Sequence, residues 1–423
     1  MPPPAAPTQR RRLGTRPHPA GVGALLAAPC PDAARAGVGA LLAVFSARAL
    51  LAGMALLCLA LAACGGAAPP SGAAPAAKPA PAAPATPASA DWDALVAAAR
   101  QEGRLTLSIP PGQLWRQVIG TFEQDYPGII LELTGANSRD FWPRVFQERQ
   151  GGVYNWDLRV GGPDPDSYEA SRQGVFDPIR PLLLLPEVVD DSKWLGGLDG
   201  LFVDAEDRWF PGFIANTSAA FYVNRDFIPE SDLRTDTDIL DPRWRGKIAI
   251  QDPRGGAGLG RLTAMLMAHG EGFVRDLLTK QDIVSTGDNR QIAEWVVRGR
   301  YPIGIGISDS TLTELQKEGL GRNVKPLGEG FVTLSPGFGG LQLLSHAPHP
   351  KAAQLFVNWV LSRDVQARIA QTVQLNSRRL DVPPGDPSTA PDPARLSEYI
   401  LNQDEVALVP RERAQALAME LLK

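Results

Sequence analysis

Between Asp91 and Leu361, short apolar runs keep ending in turns rich in glycine, serine and aspartate, and these turns open onto helical periodicity. Arg104–Ile109 leads into Pro110-Pro111-Gly112 and then a helix with Leu114, Val118, Ile119 and Phe122 on one face. Ile129–Leu133 leads into Gly135-Ala136-Asn137-Ser138 and a helix from about Arg139 to Gln150, and Trp156–Val160 ends in Gly161-Gly162-Pro163-Asp164. The rhythm resumes at 219–223, at Lys247–Ile250 with a helix near 258–269, at Ile283–Ser285 and at Ile303–Ile307. After Leu341–Leu344 the pattern turns helical, over 351–361, 365–372 and 412–422. Strand–turn–helix alternation of this kind predicts an α/β fold with mostly parallel sheets flanked by helices. The body shows no repeat at solenoid spacing.

In open α/β sheets ligands sit at the carboxyl ends of strands, where helix N-termini offer unpaired N–H groups and partial positive charge. The residues at those ends are Asn137, Ser138, Arg139, Asp164, Arg254, Gly255, Asp288, Ser308 and Asp309, which are the candidate binding residues. Any one of them could equally be a helix cap, and either arginine a surface ion pair. A guanidinium such as Arg139 or Arg254 can clamp a carboxylate or phosphonate through two bonds. A cationic solute would instead use Asp164, Asp288 and Asp309, with Trp142 or Tyr168 as an aromatic wall or simply as core.

Charge narrows the field. Taking the six basic residues and one acid of positions 1–63 from the whole-chain 42 and 46 leaves 36 and 45, a net of −9. An acidic body argues against nucleic-acid binding, which needs a basic surface. Cys30, Cys58 and Cys64 all precede the body, so disulfides, thiolate catalysis and cysteine-ligated metal are excluded there. His269, His346 and His349 form no HExxH or HxH spacing, and no G-x-S-x-G elbow occurs. Gly255-Gly256-Ala257-Gly258-Leu259-Gly260 lacks the Gly-Lys-Ser/Thr of a phosphate loop. No catalytic apparatus and no cofactor are expected.

The first 63 residues read as an address. Arg48, fifteen mostly apolar residues and Leu61-Ala62-Ala63-Cys64 form a charged flank, an apolar stretch and a processing site. The stretch is shorter than the ~20 residues of a spanning helix. Its end resembles a bacterial lipobox, which implies cleavage before Cys64, lipidation of that cysteine and anchoring from outside the cytoplasm. GVGALLA occurs twice, at 21–27 and 37–43, and translation is expected to begin nearer residue 44. From Ala67 to Ala90 all but five residues are Ala or Pro, which reads as an extended tether within 64–90.

Several stretches of the body carry a family likeness. Asp91-Trp92-Asp93-Ala94-Leu95-Val96, continuing to Gly103, resembles the opening of mature extracellular solute-binding proteins of ABC importers, in the group often labelled ferric-iron transport. Leu240-Asp241-Pro242-Arg243-Trp244-Arg245-Gly246-Lys247-Ile248-Ala249-Ile250-Gln251-Asp252-Pro253 is the most specific match. Tyr301-Pro302-Ile303-Gly304-Ile305-Gly306, the run His349 to Trp359, and Asn376-Ser377-Arg378-Arg379 with Asp381-Val382-Pro383 continue it. The resemblance implies a monomeric type II binding protein with two lobes, one from 91–218 plus 340–423 and the other from 219–339. Crossings near 219–224 and 338–343 would form the hinge. It further implies a binder, not an enzyme, that closes on a small solute and docks on a membrane permease. Ferric binders of this type use an adjacent tyrosine pair. Here Ser308-Asp309-Ser310 follows Gly304-Ile305-Gly306-Ile307, and no two tyrosines of the body are adjacent. That departure favours an anionic or zwitterionic organic solute over iron. The alternatives are a ferric-binding protein of the same fold and a secreted α/β hydrolase-type lipoprotein, which would need a nucleophile–base pair.

Overall fold

A computed structural model describes residues 87–422. The leader, Cys64 and the tether as far as residue 86 lie outside the described residues. The chain begins with α1 (Pro87–Glu102), β1 (Arg104–Ile109), α2 (Gln113–Gly120), α3 (Phe122–Asp125), β2 (Ile130–Gly135), α4 (Ser138–Gln150), β3 (Leu158–Val160), α5 (Pro165–Arg172) and α6 (Pro186–Val189). Next come β4 (Asn216–Ala219), β5 (Phe221–Asn224), β6 (Ile248–Gln251), α7 (Gly256–Lys280), β7 (Val284–Thr286), α8 (Asn289–Val297), β8 (Ile303–Ile305) and α9 (Asp309–Lys317). The last elements are β9 (Val324–Pro326), β10 (Val332–Ser335), β11 (Leu341–Leu343), α10 (Pro350–Leu361), α11 (Arg363–Ile369) and α12 (Leu408–Leu421). The last tether residues, 87–90, are helical and form the start of α1, ahead of Asp91. Proline is tolerated in a first helical turn, so the helix can begin at Pro87.

Two mixed sheets organise the fold. The first has the order β11-β3-β1-β2, with β2 and β3 parallel to β1 and β11 antiparallel to β3. The second has the order β7-β6-β8-β5-β9, with β6 parallel to β7 and β8, while β5 runs against β8 and β9. Strands β3, β5, β6, β8 and β11 are buried at every position. Burial at every position marks strands covered on both faces, and it includes the polar centres of β3 and β11, Arg159 and Gln342. One core gathers Leu105, Leu107, Leu158 and Val160 with Ile119, Phe356 and Trp359, and a second gathers Ile248, Ile250, Ile303 and Ile305 with Leu262 and Met265.

A two-stranded ladder, β4 with β10, links the chain segments that feed the two sheets. The strand expected at 219–223 is in fact two, ending at Ala219 and restarting at Phe221. The C-terminal helix departs from the expected division. Ala414, Leu417 and Ala418 of α12 pack into the second core rather than the first. A helix needs only an apolar face to bury, and α7 offers one.

Candidate functional site

A cleft of about 870 Å³ opens at the carboxyl ends of β6 and β8. On one side stand Ser218, Gln251, Arg261, Asn289 and the run Gly306 to Ser310, with Lys317 on α9. On the other stand 373–375 and 385–389. Val373 and Leu375 rest on the first core, so the cleft lies between the two packed bodies.

Its floor is a chain of polar side chains. Arg261 donates from Nη2 to Ser218 Oγ at 2.6 Å and from Nη1 to Thr333 Oγ1 at 3.1 Å. Ser218 Oγ in turn donates to Asp309 Oδ2 at 3.0 Å, and the Tyr222 hydroxyl donates to Asp309 Oδ1. Ser218 and Thr333 are register partners in the β4–β10 ladder, so the linking strands themselves hold the guanidinium. Burial lowers the Arg261 pKa, and the nearby Asp309 and Tyr222 oppose that shift. Burial, then the Asp309 charge, raises the Tyr222 phenol well above its ordinary range, so it stays a donor. Gly306 makes the approach possible. Its φ is +81°, and a Cβ there would stand 3.2 Å from Gln251 Cβ and 3.3 Å from Arg261 Cγ.

The residues expected to bind are dispersed. Ser308 and Asp309 line this cleft, and Ser308 Oγ lies 2.9 Å from Ser310 Oγ. Asp164 lines a different, smaller cavity and caps α5 through Ser167. Asn137, Ser138, Arg139, Arg254, Gly255 and Asp288 line neither. Arg254 is exposed and paired with Asp252 at 2.8 Å. Asp288 is spent on the first N–H groups of α8. Ser138 Oγ accepts from buried Arg159 at 2.9 Å. Of the two aromatics proposed as a wall, Trp142 is core and Tyr168 lines the cavity of Asp164. Arg261, Ser218 and Thr333 went unread in the sequence. The available signal was one arginine, Arg261, between apolar Leu259 and Leu262 just after a glycine-rich turn.

Among the described residues no helix is long and apolar enough to cross a membrane. Residues 214–372 match the family model described as bacterial extracellular solute-binding protein. Iron uptake protein A2 of Synechocystis sp. is 24% identical over 217 residues, 48% of this chain. The matched part spans 59% of that relative's own length. Iron-bound HitA from Pseudomonas aeruginosa superposes with a TM-score of 0.54 at 21% identity, over 76% of this chain and 99% of that one. Trichodesmium IdiA (FutA), solved with iron and citrate ligands, gives 0.58 at 15% identity, over 76% and 99%. The fold is therefore that of the two-lobed periplasmic binding proteins. The resemblance to extracellular solute-binding proteins is borne out over 214–372, and iron-uptake and ferric-binding proteins are among those this chain is similar to.

Proposed function

We propose that this chain is the substrate-binding component of an ABC importer, a binder and not an enzyme. It captures a small solute between its lobes and presents it to a membrane permease. The observation that carries this is the cleft itself, about 870 Å³, walled from both packed bodies and floored by Arg261, Ser218 and Asp309. Solute that touches both walls biases a hinge toward closure because only the closed form offers both sets of contacts. Lobe one would hold the first sheet and lobe two the second together with α12, with β4 and β10 as hinge strands. Lipidation at Cys64 would tether this body outside the cytoplasm.

The cleft walls carry both signs, with Arg261 and Lys317 against Asp309, Glu314 and Asp386. Such a lining suits a zwitterionic organic solute, or an anionic one whose charge falls on Arg261. Ferric iron is the second reading. It is favoured by the iron-bound relatives and by the Tyr222–Asp309 pair, since hard cations take anionic oxygens. Native mass spectrometry of the protein as isolated separates the two. The expected result is an organic solute released on denaturation and absent from Arg261→Ala. Iron retained with a phenolate charge-transfer colour, lost in Tyr222→Phe, would replace the organic reading, and an empty cleft in the presence of a broad solute panel would sink both.

A further inference from the structure

Both walls of the cleft carry amide side chains, and none of its lining residues is aromatic. At the end of β6, Gln251 donates from Nε2 to Oδ1 of Asn289, the first residue of α8. Gln251 Oε1 and Asn289 Nδ2 then have no protein partner among the described residues. Asn216 on β4 accepts the Asn376 N–H at Oδ1, at 3.0 Å, and its Nδ2 is likewise unpaired. On the opposite wall Gln374 donates from Nε2 to Gln371 O at 2.6 Å, and its Oε1 is unpaired. Gln374 ends a π-helical turn, Ala370–Gln374, with φ at +59°, a region that side chains other than glycine rarely adopt. Turns of this kind occur often at functional sites, and this one brings Gln374 to the cleft.

The carboxylates in the lining are mostly satisfied from within. Asp309 accepts from the hydroxyls of Tyr222 and Ser218, and Asp386 from the N–H and Oγ of Ser388 and from Thr389 Oγ1. Glu314 and Lys317, one turn apart on α9, offset each other. Arg261 is different, since the side chains it bonds, Ser218 and Thr333, are neutral hydroxyls.

Resting on the importer reading above, we propose that the solute is a polyhydroxylated acid, with its carboxylate on Arg261 and its hydroxyls held by the amides of both walls. A hydroxyl both donates and accepts, so it can take an amide N–H and give to an amide carbonyl. The unpaired edges are two N–H₂ groups, on Asn216 and Asn289, and two carbonyls, on Gln251 and Gln374. Exchanging oxygen and nitrogen on both Gln251 and Asn289 reverses their bond and still leaves one donor and one acceptor unpaired. An alkyl chain enclosed here would leave these groups without partners on closure, which is the strongest form of discrimination a binding site has. An aryl ring would find no aromatic face to stack on.

Isothermal titration of the intact protein, dialysed free of solute, tests this with D-gluconate against hexanoate, which has the same chain length and charge but no hydroxyl. The expected result is that gluconate binds about a hundredfold or more tightly than hexanoate. Gln374→Leu should weaken gluconate about tenfold and leave hexanoate no weaker, narrowing the gap. Equal binding of the two acids, or an unchanged gluconate affinity in Gln374→Leu, would overturn the hydroxyl assignment while the importer reading stands. If neither acid binds, the assignment falls as well, and mass spectrometry of the co-isolated solute then decides whether the importer reading falls with it. Should Gln374→Leu fail to fold, the contrast between the two acids on the unaltered protein still decides.

Discussion

Asp404 sits where a carboxylate ionises reluctantly. Burial pushes its pKa up to about 6, with the charge of Arg378 opposing the shift. The folded chain therefore holds this proton more tightly than the unfolded chain does. Its contribution to stability is full below about pH 4 and is lost as pH rises through about 6. The gap between that value and an ordinary aspartate is worth about 3 kcal/mol at most. Asp404→Asn, which cannot ionise, should gain stability relative to the unaltered protein across that window by up to this amount. Denaturant unfolding of both proteins from pH 4 to pH 7 measures the difference. A difference that stays flat with pH would mean that Asp404 ionises as it does in water. Arg379 behaves differently, because its charge is matched. It is 2% exposed, clamps Asp381 through two bonds of 2.8 and 2.9 Å and stacks on Trp194. The Ser377-Arg378-Arg379 motif that carries part of the family likeness is in this sense a structural brace and not a contact to solute.

Among the elements, α12 is the one whose place could not be foreseen. Its apolar positions mark a helix over 412–422, but periodicity says only that a face is buried, not against what. The partner, α7, lies well over a hundred residues earlier in the chain. Leu417 is fully buried in that contact. Leu417→Ala should destabilise by about 2–5 kcal/mol through lost burial and the cavity left behind. Chemical denaturation followed by tryptophan fluorescence measures it, and a loss under about half a kcal/mol, the size of an ordinary surface substitution, would show α12 to be a loosely docked tail. Elsewhere legibility follows the strength of local signals. Strand β1 is legible to the residue because its apolar run is bounded by Gly103 and Pro110. Strands β9 and β10 escape a reading of the sequence. β9 is three residues that end in proline with two positions exposed, and β10 is held by its ladder with β4 and not by its own pattern. Ser308 and Asp309 are legible as a helix start beside the cleft, since turn chemistry is local. Arg261 is not, because its role depends on Ser218 and Thr333, which reach it only after the chain has crossed between sheets twice.

For the whole molecule, what matters is that the two cores are distinct and that the cleft borrows walls from both. With no cysteine in the body, packing alone fixes each core, and the β4–β10 ladder ties the strands proposed as the hinge to the cleft through Ser218 and Thr333. A solute held between the lobes must therefore stabilise both walls together. At a hundred times its Kd it adds about 2.7 kcal/mol against any opening that releases it, which slows exchange through such openings about a hundredfold. Hydrogen exchange of the solute-loaded and stripped protein should show that slowing in 216–218 and 306–317 on one wall and in 373–375 and 385–389 on the other. Protection confined to one wall would describe a pocket on a single lobe, and capture by closure would then be wrong, because a ligand that contacts one lobe alone has no differential affinity with which to shut the hinge.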